Sequence, residues 1–282
     1  MRIALTIAGS DSGAGAGIQA DLKTFAAHGV YGTSAITAIT AQNTQGVIAA
    51  VPIAADLVTA QIEAVMSDLG VHAAKTGMLA NAAIVEAVAA AADSLEIPFL
   101  VVDPVIVASS GDRLLDDDGV MAMKKELISR AHAVTPNVPE AETLSGIVIR
   151  SENDRREAAK RIFHLGAAHV VITGGHANRT WGPGSAGPFD RINDLVYDGD
   201  VFTDFAVDRV AGRDTHGTGC AFSAALAAHL ALGASLHEAV PLAQHYVAGA
   251  IRHAPGLGHG SGPLNHFWAG MATRASKAGG EL

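Results

Sequence analysis

The sequence predicts one α/β domain, a central and mostly parallel sheet, doubly wound, with helices on both faces. Three observations carry this. Short apolar segments alternate with helical ones along most of the chain. The run Phe99-Leu-Val-Val-Asp103 is apolar without a break, as a parallel strand buried on both faces should be. The first strand-like segment passes directly into a glycine loop and a helix, the opening of a β-α unit. The 282 residues lie within the reach of one such domain, residues 1–282, and no repeat or linker divides them.

Composition narrows the function. A formal net charge of −9 argues against a general nucleic-acid surface, so an anionic substrate would need donors placed locally. No apolar run approaches the ~20 residues of a membrane helix, and the chain start reads as a strand rather than a signal peptide. The single cysteine fits a reducing cytoplasm and excludes an internal disulfide or thiolate cluster. Thirteen histidines invite a metal site, but none is paired at zinc spacing with a matching acid.

In chain order, Arg2 to Ala8 is a strand that ends in Gly9-Ser-Asp-Ser-Gly-Ala-Gly-Ala-Gly17. The loop imitates a dinucleotide fingerprint or a P-loop, yet Ile18 breaks the first spacing and no Gly-Lys pair serves the second. Gly17 to His28 is a helix with Ile18, Leu22, Phe25 and Ala26 on one face. Asp21 lies at the margin of that face, either answering the helix dipole or looking into a cleft. Tyr31 to Thr40 is a strand whose exit brings Gln42, an amide suited either to a heterocycle edge or to capping a turn. Asp56 to Leu69 is a helix, and Val71 to Lys75 a strand that delivers Thr76-Gly-Met78 to the same edge. Asn81 caps a helix to about Ala92.

Asp103 ends this apolar strand, where an unpaired carboxylate is costly to desolvate and points to function or a metal. Asp116-Asp-Asp118 starts another helix. The strand Ala131 to Thr135 leads into Pro-Asn137-Val-Pro-Glu140, either an N-cap with an acidic first turn or a place for magnesium. A helix over Glu152 to Leu165 and a strand over His169 to Thr173 lead to Gly174-Gly-His176. Residues 177–190, rich in glycine and proline, read as a flap. Ile192 to Tyr197 and Val201 to Val207 form a hairpin about Asp198-Gly199.

The chain then reaches Asp214-Thr-His-Gly-Thr-Gly-Cys220 and a run of alanine and leucine to Leu232. A helix that begins among glycines leaves backbone N–H groups free and presents its positive dipole end, so Gly217 to Cys220 can cradle a phosphate. The same dipole predicts a lowered pKa for Cys220 and a role as proton acceptor or nucleophile. A further helix spans about Leu236 to His253, before a glycine-rich tail.

The ordered set Ala8-Gly-Ser-Asp-Ser12, Gly17-Ile-Gln-Ala-Asp-Leu-Lys-Thr-Phe25, Thr40-Ala-Gln-Asn-Thr44, Lys75-Thr-Gly-Met-Leu79, Val102-Asp-Pro-Val105, Ser110-Gly-Asp112, Thr135-Pro-Asn-Val-Pro-Glu-Ala141, Gly174-Gly-His176, Thr215-His-Gly-Thr-Gly-Cys220 and Gly262-Pro-Leu-Asn-His266 closely resembles the hydroxymethylpyrimidine/phosphomethylpyrimidine kinases of thiamine biosynthesis. The resemblance implies a ribokinase-like fold and ATP with Mg²⁺. It implies two successive phosphorylations, of 4-amino-5-hydroxymethyl-2-methylpyrimidine and of its monophosphate. It places Gln42 and Asp21 at the pyrimidine edge with Ala16, Thr40 and Met78 around the ring. Gly217, Thr218 and Gly219 would hold the transferring phosphate, with Cys220 beside the attacking hydroxyl. Asn137, Thr173, Gly175 and His216 would face the ATP phosphates, and Asp103 and Glu140 would hold magnesium. The family is commonly dimeric, which implies a homodimer here.

One departure stands out. Family members often carry a lysine immediately before Gly-Gly-His, where this chain has Thr173. The exchange removes a positive charge and bears on the second, more anionic step. Rival readings are a pyridoxal or pyridoxine kinase, a non-catalytic nucleotide- or pyrimidine-binding protein of the same fold, and, more weakly, an oxidoreductase.

Overall fold

The computed structural model describes residues 1–108, 111–175, 191–212 and 214–270. The glycine-rich segment 177–190, His176 and Ser110 lie outside the described residues. These residues form a nine-stranded sheet in the order β3-β2-β1-β4-β5-β6-β7-β8-β9. The strands are β1 (Ile3–Asp11), β2 (Tyr31–Asn43), β3 (Gly46–Pro52), β4 (Ala73–Thr76), β5 (Leu100–Val102), β6 (Ala133–Val134), β7 (Val170–Ile172), β8 (Arg191–Tyr197) and β9 (Phe202–Asp208). Pairing is parallel from β2 through β7, while β3 at one edge and the β8–β9 hairpin at the other are antiparallel. Long parallel runs need helical crossovers, and these cover both faces.

On one face lie α1 (Gly17–Ala27), α7 (Thr218–Leu232) and α8 (Leu236–Arg252). The other carries α2 (Ala55–Asp68), α3 (Ala82–Ser94), α4 (Asp117–Ala122), α5 (Val138–Ser145) and α6 (Glu152–Phe163). Helix α7 is buried nearly all round, with Ala221, Phe222, Ala225 and Ala228 among its covered residues, because it lies between the sheet and α1 and α8. That is why its sequence lacks a polar stripe and is built of alanine, which lets backbones approach closely. Caps set the helix starts as the residues require. Asn81 accepts the Ile84 N–H, Asp116 the Gly119 N–H and Ser151 the Asp154 N–H.

The sequence reading missed β3. The second strand does not end at Thr40 but continues to Asn43 and turns back through Thr44 and Gln45. Strand β3 reads Gly-Val-Ile-Ala-Ala-Val-Pro and most of it is exposed. It therefore shows neither the alternation of a half-buried strand nor the flanks of a buried one. The helix begun at Asp117 also leaves regular α geometry at Met123, passing through a π turn to Leu127 and a 3₁₀ turn to Arg130.

Buried histidines pin the α1–α7–α8 layer. The His266 ring nitrogen Nδ1 lies 3.2 Å from Thr24 Oγ1 and 3.1 Å from the Tyr246 hydroxyl, tying the tail to α1 and α8. Thr24 Oγ1 donates its one proton to the Ala20 carbonyl at 2.8 Å and the Tyr246 hydroxyl can donate to the His266 carbonyl at 3.2 Å, so Nδ1 is the donor to Thr24. Burial, reinforced by Lys23, pushes His266 down to about 4, and burial with the neighbouring His28 does the same to His229. The folded state thus refuses protons that the unfolded chain accepts near pH 6.5. Stability from these groups is complete above that value and is lost as the pH falls from it toward 4. Thermal unfolding followed across this range is expected to show a falling midpoint. A His266→Asn variant, which has no ring to protonate, is expected to show a shallower fall.

Candidate active site

The parallel strands all end on one edge of the sheet, and there a cavity of about 890 Å³ opens. At one end it is walled by Ser10, Ala16, Thr40, Gln42 and Met78. At the other it is apolar, with Val207, Phe222, Val247 and Ile251 around the polar pair Asp194 and Gln244. Between the two ends lies the start of α7, Gly217 to Cys220.

Glycine is required at that start. Gly217 is the N-cap at φ +82°, and a Cβ there would sit 1.9 Å from the Gly15 carbonyl oxygen. The first helical hydrogen bond runs from the Ala221 N–H to the Gly217 oxygen, so the Gly219 and Cys220 N–H groups precede it and stand at the positive end of the dipole. The Gly13–Gly17 loop that presses against this turn is shaped by Asp11. Its carboxylate accepts from the N–H groups of Gly13, Gly15 and Ala16 at 2.8, 3.0 and 2.9 Å, and from His216 Nε2 at 3.0 Å. Burial alone would raise the Asp11 pKa; the His216 hydrogen bond and the loop N–H groups outweigh it and hold the carboxyl below its ordinary range.

Behind the anion hole lies a buried line of charge. Lys75, at the end of β4, is 0% exposed, and its Nζ donates to both oxygens of Asp21 at 3.1 and 3.0 Å. Thr6 Oγ1 donates to Asp21 at 2.6 Å. The same Nζ is 3.7 Å from Asp103 Oδ2, which also accepts from Ser223 of α7 at 2.9 Å. Burial raises the Asp103 pKa and the charge of Asp21 adds to this, while Lys75 and Ser223 oppose it. Glu140 is pushed up to about 8, chiefly by burial and then by Asp103.

Of the residues singled out in the sequence, Ala16, Thr40, Gln42, Met78, Asp103, Asn137, Glu140, Thr173, Gly175, His216, Gly217, Thr218, Gly219 and Cys220 all line this one cavity. Asp21 does not. It was placed at the pyrimidine edge, but Ile18, Asp21 and Phe25 form a single buried face of α1, and the carboxylate points beneath the cavity to Lys75. His216, grouped with the phosphate contacts, instead turns Nε2 to Asp11, 3.3 Å from the Gln42 carboxamide. The lowered thiol pKa is also overturned. Burial pushes Cys220 up to about 12, and the fields of Asp103 and Asp21 add to it; Lys75 and the Gly17 N–H only partly offset them. Cys220 is therefore a thiol at neutral pH. Asn137 and Glu140 form a capping box for α5, each side chain accepting the other's backbone N–H at 3.0 and 2.9 Å. The cap reading holds for both, and Glu140 still faces the cavity.

Two contributors were missed. Lys75 passed as the end of a strand, although two carboxylates headed for the interior at Asp21 and Asp103 called for a buried cation. Asp11 passed as a loop residue, although an aspartate opening a glycine loop can gather its N–H groups.

Among the described residues, no three His, Cys, Asp or Glu side chains group to hold a metal. Asp103 and Glu140 nonetheless share one cavity, and each has its ionised form disfavoured by burial and by a nearby carboxylate. That donor set fits a divalent cation whose other ligands are water and substrate phosphates.

An anion hole between a ring-sized polar wall and an apolar arm, with two carboxylates alongside, defines a small-molecule kinase. Comparison gives the particular family. The model for phosphomethylpyrimidine kinase matches residues 11–265, and the chain belongs to that family. It is 48% identical over 264 residues to the hydroxymethylpyrimidine/phosphomethylpyrimidine kinase of Bacillus subtilis, covering 94% of each chain. Among solved structures it resembles an ADP complex of Bacillus subtilis pyridoxal kinase, with a TM-score of 0.85 and 37% identity over 96% of this chain and 99% of that one. It also resembles the phosphomethylpyrimidine kinase of Clostridium difficile, with a TM-score of 0.77 and 38% identity over 89% of this chain and all (100%) of that one. The ribokinase-like fold follows from these neighbours.

Replacing Lys75 by methionine leaves Asp21 and Asp103 buried without their cation. The expected loss is about 3–5 kcal/mol of unfolding free energy, read by urea denaturation. A Lys75→Met/Asp21→Leu double variant is expected to recover a large part of it.

Proposed function

We propose that the protein transfers the γ-phosphoryl group of ATP to the hydroxymethyl group of 4-amino-5-hydroxymethyl-2-methylpyrimidine, and then phosphorylates the monophosphate. One observation carries this reading: a single cavity joins a wall with a carboxamide at Gln42 to an apolar arm by way of the glycine-built helix start. The ring lies between Ala16, Thr40 and Met78, with Gln42 meeting its amino and ring-nitrogen groups. The nucleoside occupies the arm of Val207, Phe222, Val247 and Ile251, and the phosphates run past Asn137, Thr173 and Gly175. Asn137 Oδ1 is taken by the Glu140 N–H, so its contact to phosphate comes from the amide N–H₂.

Phosphoryl transfer asks for alignment and charge stabilisation more than for covalent help. The N–H groups of Gly219 and Cys220, with Thr218, receive the charge of the transferring group. Cys220 keeps its proton at neutral pH and positions the hydroxymethyl oxygen, which a loose transition state does not require to be ionised first. Asp103 and Glu140 would hold magnesium, which would supply neutralisation of the phosphate charge. Lys75 does not substitute for the family lysine replaced by Thr173, because its ammonium is committed to Asp21 and Asp103.

The whole chain acts as one kinase domain, in the cytoplasm. We read it as a homodimer, since the edge strand β3 leaves Ile48 and Val51 exposed near Ile39, apolar surface that a second copy would cover. No helix among the described residues is long and apolar enough to cross a membrane. A pyridoxal kinase is the second reading, favoured by the likeness to the Bacillus subtilis pyridoxal kinase.

A phosphorus-NMR time course with Mg-ATP and the aminopyrimidine, with pyridoxal in a parallel tube, is expected to show monophosphate and then diphosphate. Product only from pyridoxal would overturn the choice of substrate. Cys220→Ala is expected to lower kcat by about 10²-fold with little change in KM, as lost alignment should. An unchanged kcat would remove the thiol from the site's function.

A further inference from the structure

One arrangement satisfies all the hydrogen bonds around Gln42 together, and it involves His216. The Asp11 carboxylate can only accept, so the His216 nitrogen 3.0 Å from it, Nε2, carries a proton. That N–H also faces the Gln42 amide at 3.3 Å, so the amide atom turned toward it is the carbonyl oxygen. On the other side Thr40 Oγ1 donates to the Ser10 carbonyl at 2.9 Å and can only accept from the amide 3.2 Å away. The atom turned toward Thr40 is thus the nitrogen. The Gln42 backbone is pinned as well, since Ser12 Oγ accepts its N–H and donates to its carbonyl, both at 2.8 Å.

We infer that His216, held by Asp11, is a specificity-determining residue: it locks the Gln42 carboxamide in one orientation, so the site reads the order of donor and acceptor along the substrate ring. A free carboxamide turns over and matches either order. A locked one keeps one lone pair and one N–H in fixed places. Along the aminopyrimidine from the carbon bearing the hydroxymethyl group come an amino donor and then a ring-nitrogen acceptor. Along pyridoxal from the same carbon come an aldehyde acceptor and then a phenolic donor, the reverse order. The ring of His216 is itself confined, because a Cβ on Gly15 would lie 2.4 Å from its Cδ2, so the lock needs glycine at position 15.

The inference rests on the reading that this cavity takes the aminopyrimidine, and calorimetric titration of both rings in the absence of ATP separates the two. The wild type is expected to bind the aminopyrimidine more tightly than pyridoxal. In His216→Phe, which keeps a ring but donates no hydrogen bond, the ratio of the two Kd values is expected to fall about tenfold, mainly through weaker aminopyrimidine binding. His216→Gln, which restores an N–H at similar reach, is expected to recover most of the ratio. His216→Asn, polar but too short, is a second variant expected to lose it. An unchanged ratio in His216→Phe or His216→Asn would overturn the inference and leave the substrate reading standing. Failure of the wild type to bind the aminopyrimidine would overturn that reading and the inference with it.

Discussion

The interaction on which the site depends is the buried ammonium of Lys75 between two carboxylates. A lysine that loses all contact with water is tolerated only where opposite charge is close, and Asp21 supplies it through two hydrogen bonds. The remaining field reaches Asp103, which Ser223 also holds. Thr6, Asp21, Lys75, Asp103 and Ser223 belong to β1, α1, β4, the end of β5 and α7. The charges therefore fasten together the elements whose ends form the cavity floor. Two apolar layers hold the sheet, but apolar packing tolerates small shifts that an ion pair in a medium of low dielectric does not.

Above that floor the geometry is set by close approach of backbone to backbone. The loop after β1 and the loop before α7 meet where Gly15 and Gly217 leave no room for a side chain, and Gly17 folds the first loop back against the Gly9 carbonyl. Asp11 turns this contact into a defined shape by gathering three N–H groups of the loop and the ring of His216. The wall that carries Gln42 and the glycine-built start of α7 are consequently two sides of one hydrogen-bonded unit. The tail belongs to the same unit, because the His216 backbone N–H donates to the Gly262 carbonyl and the Ser261 backbone N–H to that of Thr44.

The thiol at the helix start shows how competing fields are decided by burial. A helix dipole acts over the first turn and favours the thiolate by a modest amount. Desolvation among walls that also carry Asp103 and Asp21 is larger and of opposite sign, so the proton stays on sulfur. Glu140 obeys the same balance, since its cap hydrogen bonds favour the anion but do not outweigh burial and the field of Asp103.

What the sequence by itself determined is whatever depends on neighbours along the chain. The uninterrupted apolar run before Asp103 marked a parallel strand, and Asn81, Asn137 and the glycines at 217 and 219 marked helix starts, because backbone periodicity, capping and φ are local properties. Most of the residues assigned to the site from motif resemblance meet in one cavity for a related reason, since parallel strands deliver their carboxyl ends to a single edge. The partners of a charge were decided only by the tertiary structure. Whether Asp21 looked into the cleft or beneath it turned on which side of α1 met β4, and the pairing with Lys75 spans 54 positions of chain. The proton on Cys220 and the ring of His216 beside Gln42, 174 positions away, were settled in the same way. Electrostatic energy depends on distance and on exclusion of water, and neither is encoded by spacing along the sequence.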